Sequence, residues 1–289
     1  MKVVLYGKAF GKDYDCLMRD MLHLLQESGV EIIVYESFLS DIKHCFNDDI
    51  NYAVLKKTDD IKGKADVLFS FGGDGTILHM AKAATRSGVP ILGVNIGTMG
   101  FMAELESSEM HKLSKLASEE YTLDTRMMLD VTVQRDRDII FHDLCLNDVA
   151  ITKGAVARIV HLEVKCDDIQ AMECGGDGII VATPTGSTAY SLSAGGPIVE
   201  PDAHSILITP ICAHDVVSRC IVASDKRKVS VAMTRNARRN AYLSVDGGKA
   251  LRMNMGDVAT IRRSNLVTKL IRLKDRSFYD VVNMKFKNG

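Results

Sequence analysis

The hydrophobic period of this chain changes once, near Tyr121, and that change limits the folds open to it. Before Tyr121, strand-like and helix-like runs alternate. Val3–Tyr6 is a short β-rich run closed by Gly7. Leu17, Met18, Met21, Leu22 and Leu25 then recur at helical spacing until Ser28-Gly29. Val30–Tyr35, Asp66–Phe71 and Ile91–Val94 read as further strands, and Ile77–Ser87 as a helix stopped by Gly88-Val-Pro90. Strands separated by helices of about 10–15 residues predict an α/β domain with a parallel sheet and helices on its faces.

After Tyr121 the period is two. Leu123, Thr125, Met127, Leu129, Val131 and Val133 alternate with more polar residues. Leu144, Leu146, Val149 and Ile151 follow with one slip, then Val160, Leu162, Val164 and Cys166. Asp136-Arg-Asp138, Lys153-Gly154 and Asp167-Asp168 read as turns between these runs. Val229–Thr234, Ala241–Val245 and Val267–Leu273 continue the pattern, with Asp246-Gly247 a strong hairpin signal. Short strands at this spacing predict a mainly-β, sandwich-like second domain. The boundary falls near residue 122.

The chain has 289 residues, enough for one large domain or two ordinary ones. Its formal charge of −1 hides a split. Residues 225–289 hold 16 Lys/Arg and 5 Asp/Glu, a local +11, which leaves −12 on the rest. The basic stretch invites a nucleic-acid reading, but its cations are scattered among strand-like positions. Arg235, Arg238, Arg239, Arg262 and Arg263 read better as a solvated face or a subunit contact. No apolar run reaches the roughly 18 residues of a membrane span, and the apolar core of the N-terminus is too short for a signal peptide. None of the seven Cys is spaced as CxxC, and the eight His form no HxxxH pair. A disulfide framework and a protein-built metal site are therefore not expected, and a cytoplasmic location is.

Two segments carry chemistry. The first is Phe71-Gly-Gly-Asp-Gly-Thr76, set between a strand and a helix. Gly72, Gly73 and Gly75 let the backbone approach a ligand, and the helix N-terminus beyond them offers unpaired N–H groups to phosphate. The loop is neither a Walker A motif nor GxGxxG, and it keeps a carboxylate, Asp74, where an anion would bind. A carboxylate beside phosphate is repulsive unless it moves a proton or acts with a metal. The structural alternative is a tight turn with Asp74 capping the helix. The second segment is Thr183-Pro-Thr-Gly-Ser-Thr-Ala-Tyr190, continued by Ser191-Leu-Ser-Ala-Gly-Gly-Pro197. It carries a dense set of hydroxyls beside an aromatic face, as a purine and ribose pocket would. Four of the five prolines fall in residues 184–210, where the sharp turns are.

These two segments, with Asn147-Asp148 between them and Thr209-Pro-Ile-Cys212 after them, resemble NAD kinase in order and spacing. The resemblance runs from about residue 66 to 248. The glycine loop alone is shared with diacylglycerol and phosphofructokinase types; the hydroxyl-rich segment is far more specific. The resemblance implies an α/β domain over 1–122, a mainly-β NAD-binding domain over 123–265, and a segment, 266–289, that packs back on the first. It implies transfer of the γ-phosphoryl of ATP, or of polyphosphate in some members, to the 2′-hydroxyl of the adenosine ribose of NAD. Mg²⁺ would be held mainly by the nucleotide.

By the same resemblance Asp74 is the general base, within the phosphate loop of Gly72, Gly73, Gly75 and Thr76. Substrate contacts are expected from Asp74, Gly75, Asn147, Asp148, Arg158, Asp177, Thr188, Ala189, Tyr190, Ser191, Leu192 and Ser193. Asp177 would reach substrate from a neighbouring subunit, which implies a homo-oligomer, a dimer or tetramer. Neither nucleic acid nor membrane is an expected partner. The chain departs from the family at Asp148, where Glu is usual, at Gly175, where Lys or Arg is frequent, and at Gly248. A lipid or sugar kinase sharing the glycine loop, and a dinucleotide sensor without catalysis, are the competing readings.

Overall fold

Val3, Val4 and Leu5 are wholly buried in β1 (Lys2–Gly7), and the first sheet grows outward from that strand. The computed structural model describes residues 1–7, 14–43, 45, 52–56, 61–97, 100–154, 159–214, 218–234 and 240–287. The chain divides into two compact units, Met1–Thr125 with Thr268–Gly289, and Arg126–Val267.

In the first unit, β1 lies between β2 (Glu31–Tyr35) and β4 (Val67–Phe71). β3 (Ala53–Leu55) continues one edge and β5 (Ile91–Asn95) the other, with β6 (Leu105–Glu106) paired to β5. All these pairings are parallel. The intervening helices are α1 (Asp15–Glu27), α2 (Glu36–Lys43), α3 (Asp74–Ser87) and the single-turn α4 (Ser114–Ala117). α1 buries Met18, Met21, Leu22 and Leu25, four of the five residues whose spacing predicts it. α3 ends where expected, on Gly88 in the left-handed region (φ 74°). It starts three residues earlier than its apolar pattern indicates, so that Asp74 is its first residue.

The second unit opens within β7 (Thr122–Arg135) and β8 (Asp138–Cys145). It continues through β9 (Asp148–Lys153), β10 (Val160–Cys166), β11 (Ile169–Gly176), β12 (Gly178–Ala182), the short α5 (Tyr190–Ser193), β13 (Ser205–Ile211) and β14 (Ile221–Ser224). β15 (Val229–Met233), β16 (Ala241–Val245), β17 (Leu251–Met253) and β18 (Val258–Arg272) complete it. Six strands form one sheet in the order β14-β13-β12-β9-β16-β17; β11-β10-β15-β18, with β7 and β8, form the other face. Alternate residues of both sheets, among them Val131, Ile151, Leu162, Val181, Ile208, Val231, Leu243 and Ile261, make one core. This is the sandwich that period-two patterning predicts. The slip between Leu146 and Val149 is the break between β8 and β9, and it leaves Leu146-Asn147 outside both strands.

β18 then returns the chain to the first unit. Leu270 pairs in parallel with Ile91, and the Thr268 and Thr85 hydroxyls share a buried hydrogen bond of 2.7 Å. α6 (Phe278–Lys287) follows, with Phe278 against Phe101 at 6.3 Å and Lys285 over the Phe101 ring at 4.8 Å. The period-two pattern starts the last strand at Val267, nine residues after β18 begins, and gives no sign of α6.

The basic last quarter pairs with acids earlier in the chain. Arg262 meets Asp130 at 3.1 Å, Arg227 meets Asp167 at 2.7 Å, Arg263 meets Asp225, and Lys274 meets Glu109. Arg262 and Arg263 are paired within the chain and keep 66% and 43% of their side-chain surface, as a solvated face would. Arg235, Arg238 and Arg239 lie outside the described residues.

Candidate active site

The glycine loop joins β4 to α3. Gly72 has φ 144°, and a Cβ there would lie 2.2 Å from the Thr76 hydroxyl, so position 72 tolerates only glycine. Its N–H donates to the Val94 carbonyl at 3.0 Å, tying the loop to the end of β5. Thr76 is buried under the turn, and its N–H donates to the Gly73 carbonyl at 2.9 Å. Gly73, which caps α3, and Gly75 face open space. The loop therefore presents bare backbone at a helix N-terminus, the geometry that accommodates phosphate oxygens.

Asp74 does not cap its own helix. Its carboxylate turns to the segment after β5 and accepts three backbone N–H groups. Phe101 donates to Oδ2 at 2.7 Å; Met102 and Ala103 donate to Oδ1 at 3.0 and 3.4 Å. Gly100 makes this cradle possible, since a Cβ there would lie 1.9 Å from Asp74 Oδ1. A carboxylate offers about four lone-pair sites. Three are used in holding Asp74 still, and one is left for a proton or a ligand. Sequence reasoning missed the cradle; a second glycine pair, Gly97 and Gly100, soon after a parallel strand was the available signal.

In the second unit, Asn147-Asp148 is organised by Asp246. From a left-handed turn (φ 51°), Asp246 accepts the N–H groups of Leu146, Asn147 and Asp148 at 2.9, 2.8 and 3.2 Å. The Asn147 carbonyl accepts from Thr183 N–H at 2.9 Å, and a Cβ on Gly186 would lie 2.0 Å from the same oxygen. Two segments, the Asp246 turn and residues 183–186, thus close on one dipeptide. Asn147 Oδ1 is buried and has no hydrogen-bond partner among the described residues, which leaves it able to accept from a donor. Asp148 is 6% exposed. Burial, then the charge of Asp246, push its carboxyl up to about 6, against the opposing effect of a hydrogen bond from Tyr190 N–H.

The hydroxyl-rich segment serves two ends. Thr183 Oγ1 donates to the Leu146 carbonyl at 2.5 Å, Ser187 Oγ binds both the N–H and the carbonyl of Val199, and Ser191 Oγ meets Thr209 Oγ1 at 2.9 Å. Buried Arg126 donates to Thr185 Oγ1 at 3.4 Å. These side chains shape the turn. Thr188, Ala189 and Leu192 are half-buried, Ser193 is exposed, and Tyr190 keeps 44% of its surface. Asp177, between β11 and β12, pairs with Lys153 at 2.7 Å. At Gly175 a Cβ would stand 3.0 Å from the His161 ring. Arg158 lies outside the described residues.

Residues 12–121 match the ATP-NAD kinase N-terminal domain and residues 146–273 the ATP-NAD kinase C-terminal domain. The NAD kinase of Syntrophotalea carbinolica is 34% identical over 289 residues, covering 100% of this chain and 99% of that one. The NAD kinase of Ruminiclostridium cellulolyticum is 40% identical over 239 residues, 82% of each. The fold is shared with the crystal structure of yeast NADH kinase complexed with NADH. The TM-score is 0.89 at 24% identity, over 99% of this chain and 87% of that one. It is shared as well with an NAD kinase from Archaeoglobus fulgidus in complex with ATP, at TM-score 0.75 and 24% identity over 100% of each chain. An α/β unit carrying the glycine loop, followed by a β-sandwich carrying the hydroxyl-rich turn, defines a two-unit nucleotide kinase. The chain belongs to the NAD kinase family.

Proposed function

We propose that this NAD kinase family member transfers the γ-phosphoryl of ATP to the 2′-hydroxyl of the adenosine ribose of NAD, making NADP, with Asp74 as the general base. The observation that carries the mechanism is the state of Asp74. It stands first on α3 beside bare glycine backbone, it is immobilised by three N–H groups, and it retains one acceptor site. A fixed carboxylate within reach of a hydroxyl takes its proton as the phosphoryl group arrives, and alignment supplies much of the remaining acceleration. The Gly72–Thr76 loop would receive phosphate oxygens. Asn147, Asp148, Asp177 and the Thr188–Ser193 stretch would hold the dinucleotide, with Tyr190 as the stacking face and Asn147 Oδ1 accepting from the substrate.

A divalent cation such as Mg²⁺ would supply counter-charge to the phosphates and be held mainly by their oxygens and water. Among the described residues, no group of three His, Cys, Asp or Glu is disposed to hold a metal, and no helix is long and apolar enough to cross a membrane. The same reading makes the protein a cytoplasmic homo-oligomer, dimer or tetramer.

The test is turnover. Purified protein with ATP, Mg²⁺ and NAD forms NADP, and Asp74→Asn lowers kcat by about 10²–10⁴-fold. An unchanged kcat in that variant overturns the general-base role. Phosphorylation of a lipid or a sugar with NAD inert overturns the substrate.

A further inference from the structure

The cradle that holds Asp74 is itself held from behind. Met102 donates its N–H to Asp74 Oδ1 at 3.0 Å, and its carbonyl accepts from Arg272 Nη1, also at 3.0 Å. One residue thus links the carboxylate to a guanidinium whose own hydrogen bonds, among the described residues, go to Met102, Glu104 and Asp124. The Arg272 side chain, 18% exposed, is fully engaged: Nη1 also reaches Glu104 Oε2 at 3.2 Å, and Nε and Nη2 both bind Asp124 Oδ2, at 3.0 and 2.8 Å. Glu104, 4% exposed, uses its other oxygen to accept the Leu273 N–H at 2.9 Å, and its own N–H donates to Gly93 at 2.9 Å. The segment from Phe101 to Glu104 is therefore fixed on one side by β5 and on the other by Arg272 and Leu273, at the end of β18.

From this geometry we infer that Arg272 is a positioning residue for the reacting carboxylate: through the Met102 peptide it sets where Asp74 points. The inference rests on the reading of Asp74 as general base. The planar fork matters more than the charge. Arg272 addresses a carbonyl and two carboxylates in different directions, which a lysine ammonium on a flexible stem does not reproduce. Loss of the fork frees the Met102 carbonyl, lets the three N–H donors drift, and shifts Asp74 by a fraction of an ångström.

The experiment compares the native protein with Arg272→Lys, Asp74→Asn and the double variant. Each is checked for folding by circular dichroism and for NAD affinity by calorimetry, and kcat and KM are measured with ATP and NAD. Arg272→Lys is expected to lower kcat about tenfold, by displacement of a reacting group, with NAD affinity unchanged. It should lower kcat no further when Asp74 is already Asn, since its effect passes through that carboxylate. Asp124→Asn, which loosens the fork from the far side, is expected to lower kcat about threefold; it carries the test if Arg272→Lys does not fold. Asp74→Asn inactive with Arg272→Lys fully active overturns the inference alone, as does a loss confined to KM or one that multiplies in the double variant. For Asp124→Asn, a native kcat is the overturning result. Asp74→Asn fully active overturns the general-base reading, and this inference with it.

Discussion

Asp148 and Asp246 each donate a backbone N–H to the other, one to a carbonyl and one to a side chain. The Asp246 N–H donates to the Asp148 carbonyl at 2.9 Å, while the Asp148 N–H donates to the Asp246 carboxylate at 3.2 Å. The exchange brings buried Asp148 within the electrostatic reach of half-buried Asp246, whose carboxylate accepts three N–H groups. Asp148 titrates at about 6 because of burial and its neighbour's charge.

That value predicts the pH profile. If ionised Asp148 accepts substrate hydroxyls, kcat/KM for NAD falls as pH drops through about 6, and Asp148→Asn removes the bend. Stability moves the other way. The folded-state value lies above the unfolded 3.8, so ionisation disfavours the folded state. The penalty is absent below 3.8 and complete above about 6. Asp148→Asn is then expected to stabilise by up to about 3 kcal/mol at alkaline pH and by nothing in acid, in urea melts at the two extremes. A pH-independent difference between the proteins would count against this assignment.

Gly100→Ala sets a methyl group against the Asp74 carboxylate, 1.9 Å from Oδ1 in the present geometry. The carboxylate has to leave the cradle. A loss of about 10²-fold in kcat is expected from displacement of this size, with far-ultraviolet circular dichroism unchanged. Full turnover in a folded Gly100→Ala protein would show that the cradle is dispensable.

Asp246→Asn replaces a carboxylate that accepts three N–H groups with an amide whose NH₂ end faces donors. Two of the three bonds depend on Oδ1 and one on Oδ2, so either amide orientation opposes at least one N–H. A destabilisation of about 2–4 kcal/mol is expected, together with a higher KM for NAD as Asn147-Asp148 loses its register. Urea denaturation and initial rates measure the two separately; an unchanged KM would detach Asp246 from the dinucleotide.

The returning segment also sets acid stability. Burial opposes the charge on Glu109, but Lys112, Lys274 and the Glu106 N–H outweigh it and hold the carboxyl at about 2. Its contribution is fully present above the ordinary 4.5 and is lost as pH falls toward about 2. Lys274→Met should therefore destabilise the protein at neutral pH and narrow its difference from native in strong acid. Thermal melts at several pH values check the convergence.

Leu129, Val131 and Val133 are wholly buried along β7, and such strict alternation is visible in any one sequence. The strands were legible for that reason, and even the slip near Leu146 marked a true break. Asp74 and Tyr190 stood out as candidates because they sit in dense local motifs, and Asn147 through the family resemblance. The roles of the hydroxyls were not. Ser187 reaches Val199 and Thr183 reaches Leu146, partners 12 and 37 residues away that no local pattern announces. The cradle of Asp74 was hidden more deeply, since it is made of main-chain N–H groups that every residue but proline carries. α6 left no trace because none of its residues is fully buried, so its apolar positions do not stand out as a core face.

Arg272 is made some 200 residues after the carboxylate whose neighbouring peptide it grips. A domain built from one stretch of sequence can fold as it leaves the ribosome. This α/β unit must wait until the sandwich has been synthesised and residues 268–273 have emerged. The glycine loop therefore waits through the synthesis of the whole sandwich before Arg272 can reach the Met102 carbonyl, and a message cut short before that codon yields the loop without this clamp.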